Sequence, residues 1–136
     1  MAEGLTLEVA TPTRLVVAEV VDEVVAPGIE GYFGVLSGHA PFLTTLGIGE
    51  LMYRRGRDEF HLAVAGGFAE VRNDKVIVLV DTAERPTEID RERAERARQR
   101  AEQRLAGRAQ EEIDYARAAC ALARALTRLQ VSGRPH

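Results

Sequence analysis

Arg93, Arg100 and Arg104 are spaced by offsets of seven and eleven residues, and Arg117, Arg124 and Arg128 repeat those offsets further along the chain. On a helix turning about 100° per residue, each trio falls within ~20° of one side. The chemistry such stripes suit is anion capture, because planar guanidinium forks grip phosphate or carboxylate at two points. The alternative is a solvated face, partly paired with Glu92, Glu95 and Glu102, and residue types alone leave both open. The chain holds a single lysine, so its arginines reflect composition as well as chemistry.

No catalytic constellation accompanies the stripes. Gly66-Gly67 is followed by Phe68-Ala69-Glu70 rather than by Lys-Ser or Lys-Thr, so a turn is expected there and not a phosphate loop. His39, His61 and His136 are scattered and Cys120 is alone, which gives neither zinc spacing nor a disulfide framework. No catalytic residue, metal site or required cofactor is therefore assigned. His61 is expected at the surface, His136 as tail, and Cys120 as inert packing. His39, in Ser37-Gly38-His39-Ala40-Pro41, suits a structural hydrogen bond and an interface equally well.

Two kinds of element must position these residues. Leu5, Leu7 and Val9 alternate with polar or small residues, the period of a half-buried strand. Arg14–Val21, Glu23–Ala26, Gly31–Leu36, Gly49–Arg54, Glu59–Val64, Phe68–Arg72 and Val76–Val80 are the next strands. They are broken at Pro27-Gly28, Ser37-Gly38, Gly56-Arg57-Asp58, Gly66-Gly67 and Asn73-Asp74. Many short strands with frequent turns predict a β-sandwich or barrel. Val76–Val80, apolar throughout, is expected to be central and covered on both faces.

Beyond Arg85-Pro86 the period changes. Thr87 and Asp90 are spaced as a capping box, and Asp90 also suits a helix N-terminus. Ile89–Leu105 and Ile113–Val131 predict two helices, the first stopped by Gly107, joined by a connection over about 106–112 as an antiparallel hairpin. The fold class is α+β: an all-β head over 1–85, then a helical hairpin over 86–136. Ala94, Ala97, Ala101 and Leu105 are expected to face Tyr115, Ala119, Leu122, Leu126 and Leu129. An alanine seam buries little area at ~25 cal/mol per Å², so the hairpin is weakly held and suited to undocking.

Charge divides along the same line. Residues 1–84 carry six basic and thirteen acidic side chains, a net of −7, whereas residues 85–136 carry twelve arginines and eight acids, a net of +4. No apolar run approaches the ~20 residues of a membrane helix. The N-terminus has neither the basic region nor the apolar stretch of a signal peptide, so a cytoplasmic protein is expected, meeting a membrane only through partners.

Four segments together resemble the epsilon subunit of F-type ATP synthases. Ala26-Pro27-Gly28-Ile29-Glu30-Gly31-Tyr32-Phe33-Gly34-Val35-Leu36-Ser37-Gly38-His39-Ala40-Pro41 is similar to that family's G-x-[LF]-G-[IV]-L-x-G-H-x-P signature. Ala65-Gly66-Gly67-Phe68-Ala69-Glu70-Val71 looks like its S-G-G-F-x-E-V segment, with Ala65 in place of serine. Asp81-Thr82-Ala83-Glu84-Arg85 closes the head. Ile113-Asp114-Tyr115-Ala116-Arg117-Ala118 and Ala125-Leu126-Thr127-Arg128-Leu129 match the tail. The resemblance spans roughly residues 4–131.

The resemblance implies a sandwich of about ten strands and a non-catalytic rotor part of the proton-translocating enzyme's central stalk. That part sits on the cytoplasmic face of a bacterial membrane. The loop from Glu30 to His39, with Gly31, Tyr32 and Phe33, is implied to face the gamma subunit and the c-ring. The hairpin is implied to oppose ATP hydrolysis when it extends into the alpha/beta hexamer toward an acidic segment of beta. Ile89-Asp90-Arg91-Glu92-Arg93-Ala94 matches the I/L-D-x-x-R-A motif of members that bind ATP as a regulatory ligand. Ile89, Asp90, Arg93 and Ala94, with Glu84, Arg100, Arg117, Arg124 and Arg128, form the implied site.

Two other classes are weighed. An arginine-rich nucleic-acid-binding module lacks aromatic interleaving, and the acidic head repels phosphate backbones, so no nucleic-acid partner is assigned. A coiled-coil adaptor is the remaining alternative.

Overall fold

The computed structural model describes residues 4–107 and 112–136. The connection expected over about 106–112 therefore lies largely outside the described residues. Eight strands come first: β1 (Leu5–Ala10), β2 (Leu15–Val21), β3 (Glu23–Gly28), β4 (Gly31–Leu36), β5 (Phe42–Leu46), β6 (Gly49–Arg55), β7 (Asp58–Arg72) and β8 (Lys75–Glu84). A 3₁₀ turn over Pro86–Glu88 leads to α1 (Arg91–Ala106) and α2 (Glu112–Ser132).

The strand order is β2-β1-β8-β7-β5-β3-β4, with β6 pairing β3 and β7. β1 runs parallel to β8, and every other pair is antiparallel. β5 and β6 pair with successive halves of β7 in one register, from Phe42 opposite Val71 to Arg55 opposite Asp58. The long ladder bends over on itself and closes around Leu5, Leu7, Val9, Val24, Leu51 and Leu62, each fully buried.

The described residues form eight strands where the family resemblance implied about ten; Gly66-Gly67 accounts for one of the differences from the expected strands. That pair is a bend inside one 15-residue strand and not the expected turn. Gly66 and Gly67 have φ of 67° and 129°, which change the chain's direction without breaking its pairing to β8. β5 had no counterpart among the expected strands, and Pro41 ahead of it hides its start. Val78 is buried but Leu79 is 41% exposed, so Val76–Val80 is central yet covered on one face only. Leu79 pairs laterally with Phe68 and Ala10, and Ala10 with Leu15. Phe68, Leu79, Leu15 and nearby Leu43 thus leave an open apolar face on the head.

The helices are antiparallel: Arg91, at the start of α1, donates to the Leu129 carbonyl (3.2 Å) and the Ser132 hydroxyl (2.7 Å) at the end of α2. α2, rather than α1, makes the main contact with β6 and β7. Ala94 and Ala101 are buried as expected, but among the described side chains of α2 the buried ones are Ala118, Ala125 and Val131. Tyr115 and Leu126 stay 56% and 48% exposed. Alanine lines the interface from both sides, so the larger side chains are left at its margins. Cys120 is exposed rather than packed, and among the described residues no helix is long and apolar enough to cross a membrane.

Candidate functional site

The junction of head and hairpin is assembled from the head upward. Arg14 Nη1 and Nη2 donate to the two Glu88 carboxylate oxygens at 2.6 and 2.9 Å, and Nη2 also reaches the Ala83 carbonyl at 3.0 Å. Arg85 donates to the Tyr53 hydroxyl at 3.1 Å and to the Val16 carbonyl at 3.0 Å, while its backbone N–H donates to Glu88 at 2.8 Å. Pro86 is buried beneath them. The neck is therefore clamped to the sandwich through Glu88. Ile89 and Asp90, both extended, follow the clamp, and the Asp90 carboxylate caps α1 by accepting from the Arg93 N–H at 3.1 Å. The expected Thr87–Asp90 box does not form; Asp90 itself is the cap.

The hydrogen bond from Arg14 holds the Glu88 carboxyl at about 2, against an ordinary 4.5. A carboxyl depressed in the fold stabilises above its unfolded value and loses that contribution as pH falls. The Glu88→Gln difference in stability is expected to be about 1 kcal/mol or less, constant above about pH 5 and gone by about pH 2. Thermal unfolding of both chains across that range measures it.

Above the neck lies a cleft of ≈ 340 Å³ lined by Glu84, Glu88, Asp90, Arg93, Ala94, Ala97, Arg100 and Arg128. Six of the nine sequence-assigned ATP residues are thus gathered: Glu84, Asp90, Arg93, Ala94, Arg100 and Arg128. Arg124 lines a separate crevice beside it, with Ala65, Thr127 and Arg128, of only ≈ 10 Å³. Ile89 and Arg117 are not in the lining, and Arg117 is exposed. Glu88, which the sequence pattern did not single out, and Ala97, expected in the helix seam, also line the cleft.

Charges in the cleft are unevenly matched. Arg128 Nε meets Glu84 Oε1 at 2.6 Å, and Glu88 belongs to Arg14. Glu95 and Glu102, expected to pair with the stripe, both bind Arg98 instead. Among the described residues no acidic side chain pairs with Arg93 or Arg100. Two guanidinium groups, with Arg128 opposite, thus face a cavity near the low end of small-molecule sites. That arrangement can bind an anion and contains no nucleophile–base pair.

A second group of assigned residues, Glu30, Gly31, Tyr32, Phe33 and His39, does not form one loop. Glu30 and Gly31 lie at the β3–β4 turn, whereas His39 lies beyond the far end of β4. Six strand residues separate these ends by about 20 Å. Tyr32 is the cross-strand partner of Pro27, and its hydroxyl lies against Gly49 and accepts from the Glu50 N–H at 3.1 Å. Phe33 packs edge-on against Phe42 at 5.2 Å. His39 Nδ1 is 2.7 Å from the Ala40 carbonyl, and the loop before it is pinned where the Gly38 N–H donates to Asp74 at 2.6 Å. His61, expected at the surface, is 7% exposed because the end of the chain covers it.

Residues 4–86 match the family model "ATP synthase, Delta/Epsilon chain, beta-sandwich domain", and residues 87–133 match "ATP synthase, Delta/Epsilon chain, long alpha-helix domain". The ATP synthase epsilon chain of Nitratidesulfovibrio vulgaris strain DP4 is 53% identical over 133 residues, covering 98% of both chains. That of Geobacter metallireducens is 53% identical over 134 residues, covering 98% of this chain and 97% of the relative. A chain in a structure of the Euglena gracilis mitochondrial ATP synthase superposes with a TM-score of 0.83 at 23% identity, over 98% of this chain and 83% of that one. At that identity the likeness is one of fold.

Proposed function

We propose a regulatory role for a chain that belongs to the ATP synthase delta/epsilon family, as an epsilon chain and so a non-catalytic subunit of the F-type complex. In this reading the head rides on the central stalk, held by the gamma subunit and the c-ring. The hairpin moves between a docked form, which permits turnover, and an extended form. Extended, it enters the alpha/beta hexamer and opposes ATP hydrolysis. The subunit meets the membrane only through the complex, on the cytoplasmic face of a bacterial membrane, and the enzyme carries protons.

One observation carries the reading: a basic hairpin with an alanine seam is docked on an acidic head. Where the body of α2 meets the head, the contact at the cleft is an ion pair of Arg128 with Glu84. Partly exposed pairs of this kind contribute little and exchange readily for other partners. The segment 85–136, with its net charge of +4, is equally suited to the acidic segment of beta. With the neck clamped through Glu88, Ile89–Asp90 is the pivot. The open apolar face of the head and the Glu30–Phe33 turn are surfaces that an assembly would cover.

Docking draws Arg93 and Arg100 on α1 and Arg128 on α2 around one cleft, and a bound polyanion offsets their repulsion. ATP is the regulatory ligand of this reading, with its phosphates among the three arginines and with Glu84 and Asp90 beside them. Ligand at about 100 times its dissociation constant adds ~2.7 kcal/mol to the docked form, enough to outweigh a weak seam. Equilibrium dialysis of the full chain against ATP tests it. Saturable binding below millimolar nucleotide is expected. No binding at that concentration overturns the sensor role and leaves family membership untouched.

A further inference from the structure

We propose that residues 130–136 form a latch that locks the hairpin onto the head, with Glu50 of β6 as its catch. The proposal rests on the reading that the hairpin undocks. The Glu50 side chain is only 11% exposed. It accepts from Arg134 Nε at 2.8 Å, Arg134 Nη2 at 2.9 Å and Gln130 Nε2 at 3.1 Å. All three donors come from the end of α2 and the residues just past it. A carboxylate so enclosed requires such donors, because burial without them is costly. On the head itself the nearest candidate, His61 Nδ1, lies 3.1 Å away without hydrogen-bonding geometry, and is buried with no partner.

Two contacts of different chemistry accompany the ion pair. The His61 N–H donates to the His136 carbonyl at 2.8 Å, which ties the end of the chain to β7. The His136 ring stacks on Phe60 at 4.9 Å, and Phe60 stacks in turn on Tyr53 at 5.0 Å. The path is set by a turn: Gly133 and Arg134 donate back to the Gln130 and Val131 carbonyls, so the chain leaves α2 toward the head. The catch is braced from its other side by Tyr32, whose hydroxyl accepts from the Glu50 N–H.

Contacts of a passive docking face would be spread along α2. Among the described residues the body of the helix makes one ion pair to the head, Arg128 with Glu84, whereas the last few residues supply an ion pair, a backbone hydrogen bond and a ring stack. When the hairpin leaves, Glu50 and His61 return to water and Phe60 loses a stacking partner. Release of the latch therefore precedes or accompanies undocking.

Hydrogen exchange of the full chain, Arg134→Ala, Glu50→Gln and their double variant tests this. The proposal expects each single variant to raise exchange of the α2 amides about tenfold, the double to add nothing further, and β1 and β8 to keep their protection. A chain lacking residues 134–136 must exchange at least as fast as Arg134→Ala. If α2 opens separately from the head in the parent and the variants leave its rate within about twofold, the latch is wrong and the mobile hairpin stands. If α2 and β1 exchange only together in the parent, both are wrong.

Discussion

Gly67→Ala is expected to destabilise the head by more than about 3 kcal/mol or to prevent its folding, whereas Gly66→Ala costs only about 1 kcal/mol. The difference lies in what each new methyl group meets. At Gly67, φ is 129° and a Cβ would sit 2.0 Å from the Leu79 carbonyl oxygen and 2.7 Å from Val80 Cα. Those are backbone atoms of β8, which is held on its other side by β1, so they cannot retreat without opening the ladder. At Gly66, φ is 67° and the Cβ would meet Asp81 Oδ2 at 2.6 Å, the end of an exposed side chain that can swing away. Urea unfolding followed by circular dichroism separates the two. A Gly67→Ala chain within about 1 kcal/mol of the parent would mean that β7 does not bend as described.

Arg100→Ala is expected to weaken ATP binding at least tenfold, about 1.4 kcal/mol, which is the scale for one charge-assisted contact to phosphate. Arg93→Ala should behave similarly, because both face the cleft without an acidic partner among the described residues. Arg117→Ala is the informative contrast. Arg117 belongs to the stripe by periodicity, but it lies outside the lining, so its loss should change affinity by less than about twofold. Equal losses at Arg100 and Arg117 in equilibrium dialysis would place the ligand along the stripe rather than in the cleft.

The contrast between those arginines marks how far the sequence could be read. Helical periodicity aligns Arg117, Arg124 and Arg128 on one side, but it carries no information about where a second element ends or begins. Only the packed hairpin puts Arg128 at the cleft and Arg117 beyond it. The acceptors were harder still. Arg14 and Glu88 are 74 residues apart, and Arg134 and Glu50 are 84 apart, with no local pattern to announce either contact. The +4 and −7 charges foretold that the two parts would attract, not which side chains would meet.

In the head, alternation at Leu5, Leu7 and Val9 reports burial faithfully, because β1 has one covered face. Gly66-Gly67 misleads because the freedom that makes glycine a turn residue serves equally for a bend within a paired strand. Leu79 misleads because an apolar residue on an open face looks the same in sequence as one in the core. The family signature from Glu30 to His39 is continuous in sequence, but β4 sets its two ends apart.

Pinning the hairpin tests the central claim most directly. Ala65 on β7 and Thr127 on α2 line the same crevice, so cysteines at both positions, in a Cys120→Ser chain, can be joined by a short cross-link. The pinned chain is then assembled with the gamma subunit and the alpha/beta hexamer, and ATP hydrolysis is measured before and after the link is cleaved. A docked hairpin that permits turnover predicts uninhibited hydrolysis while pinned and inhibition once released. Equal inhibition in both states would contradict the account, because the helices would then act without leaving the head.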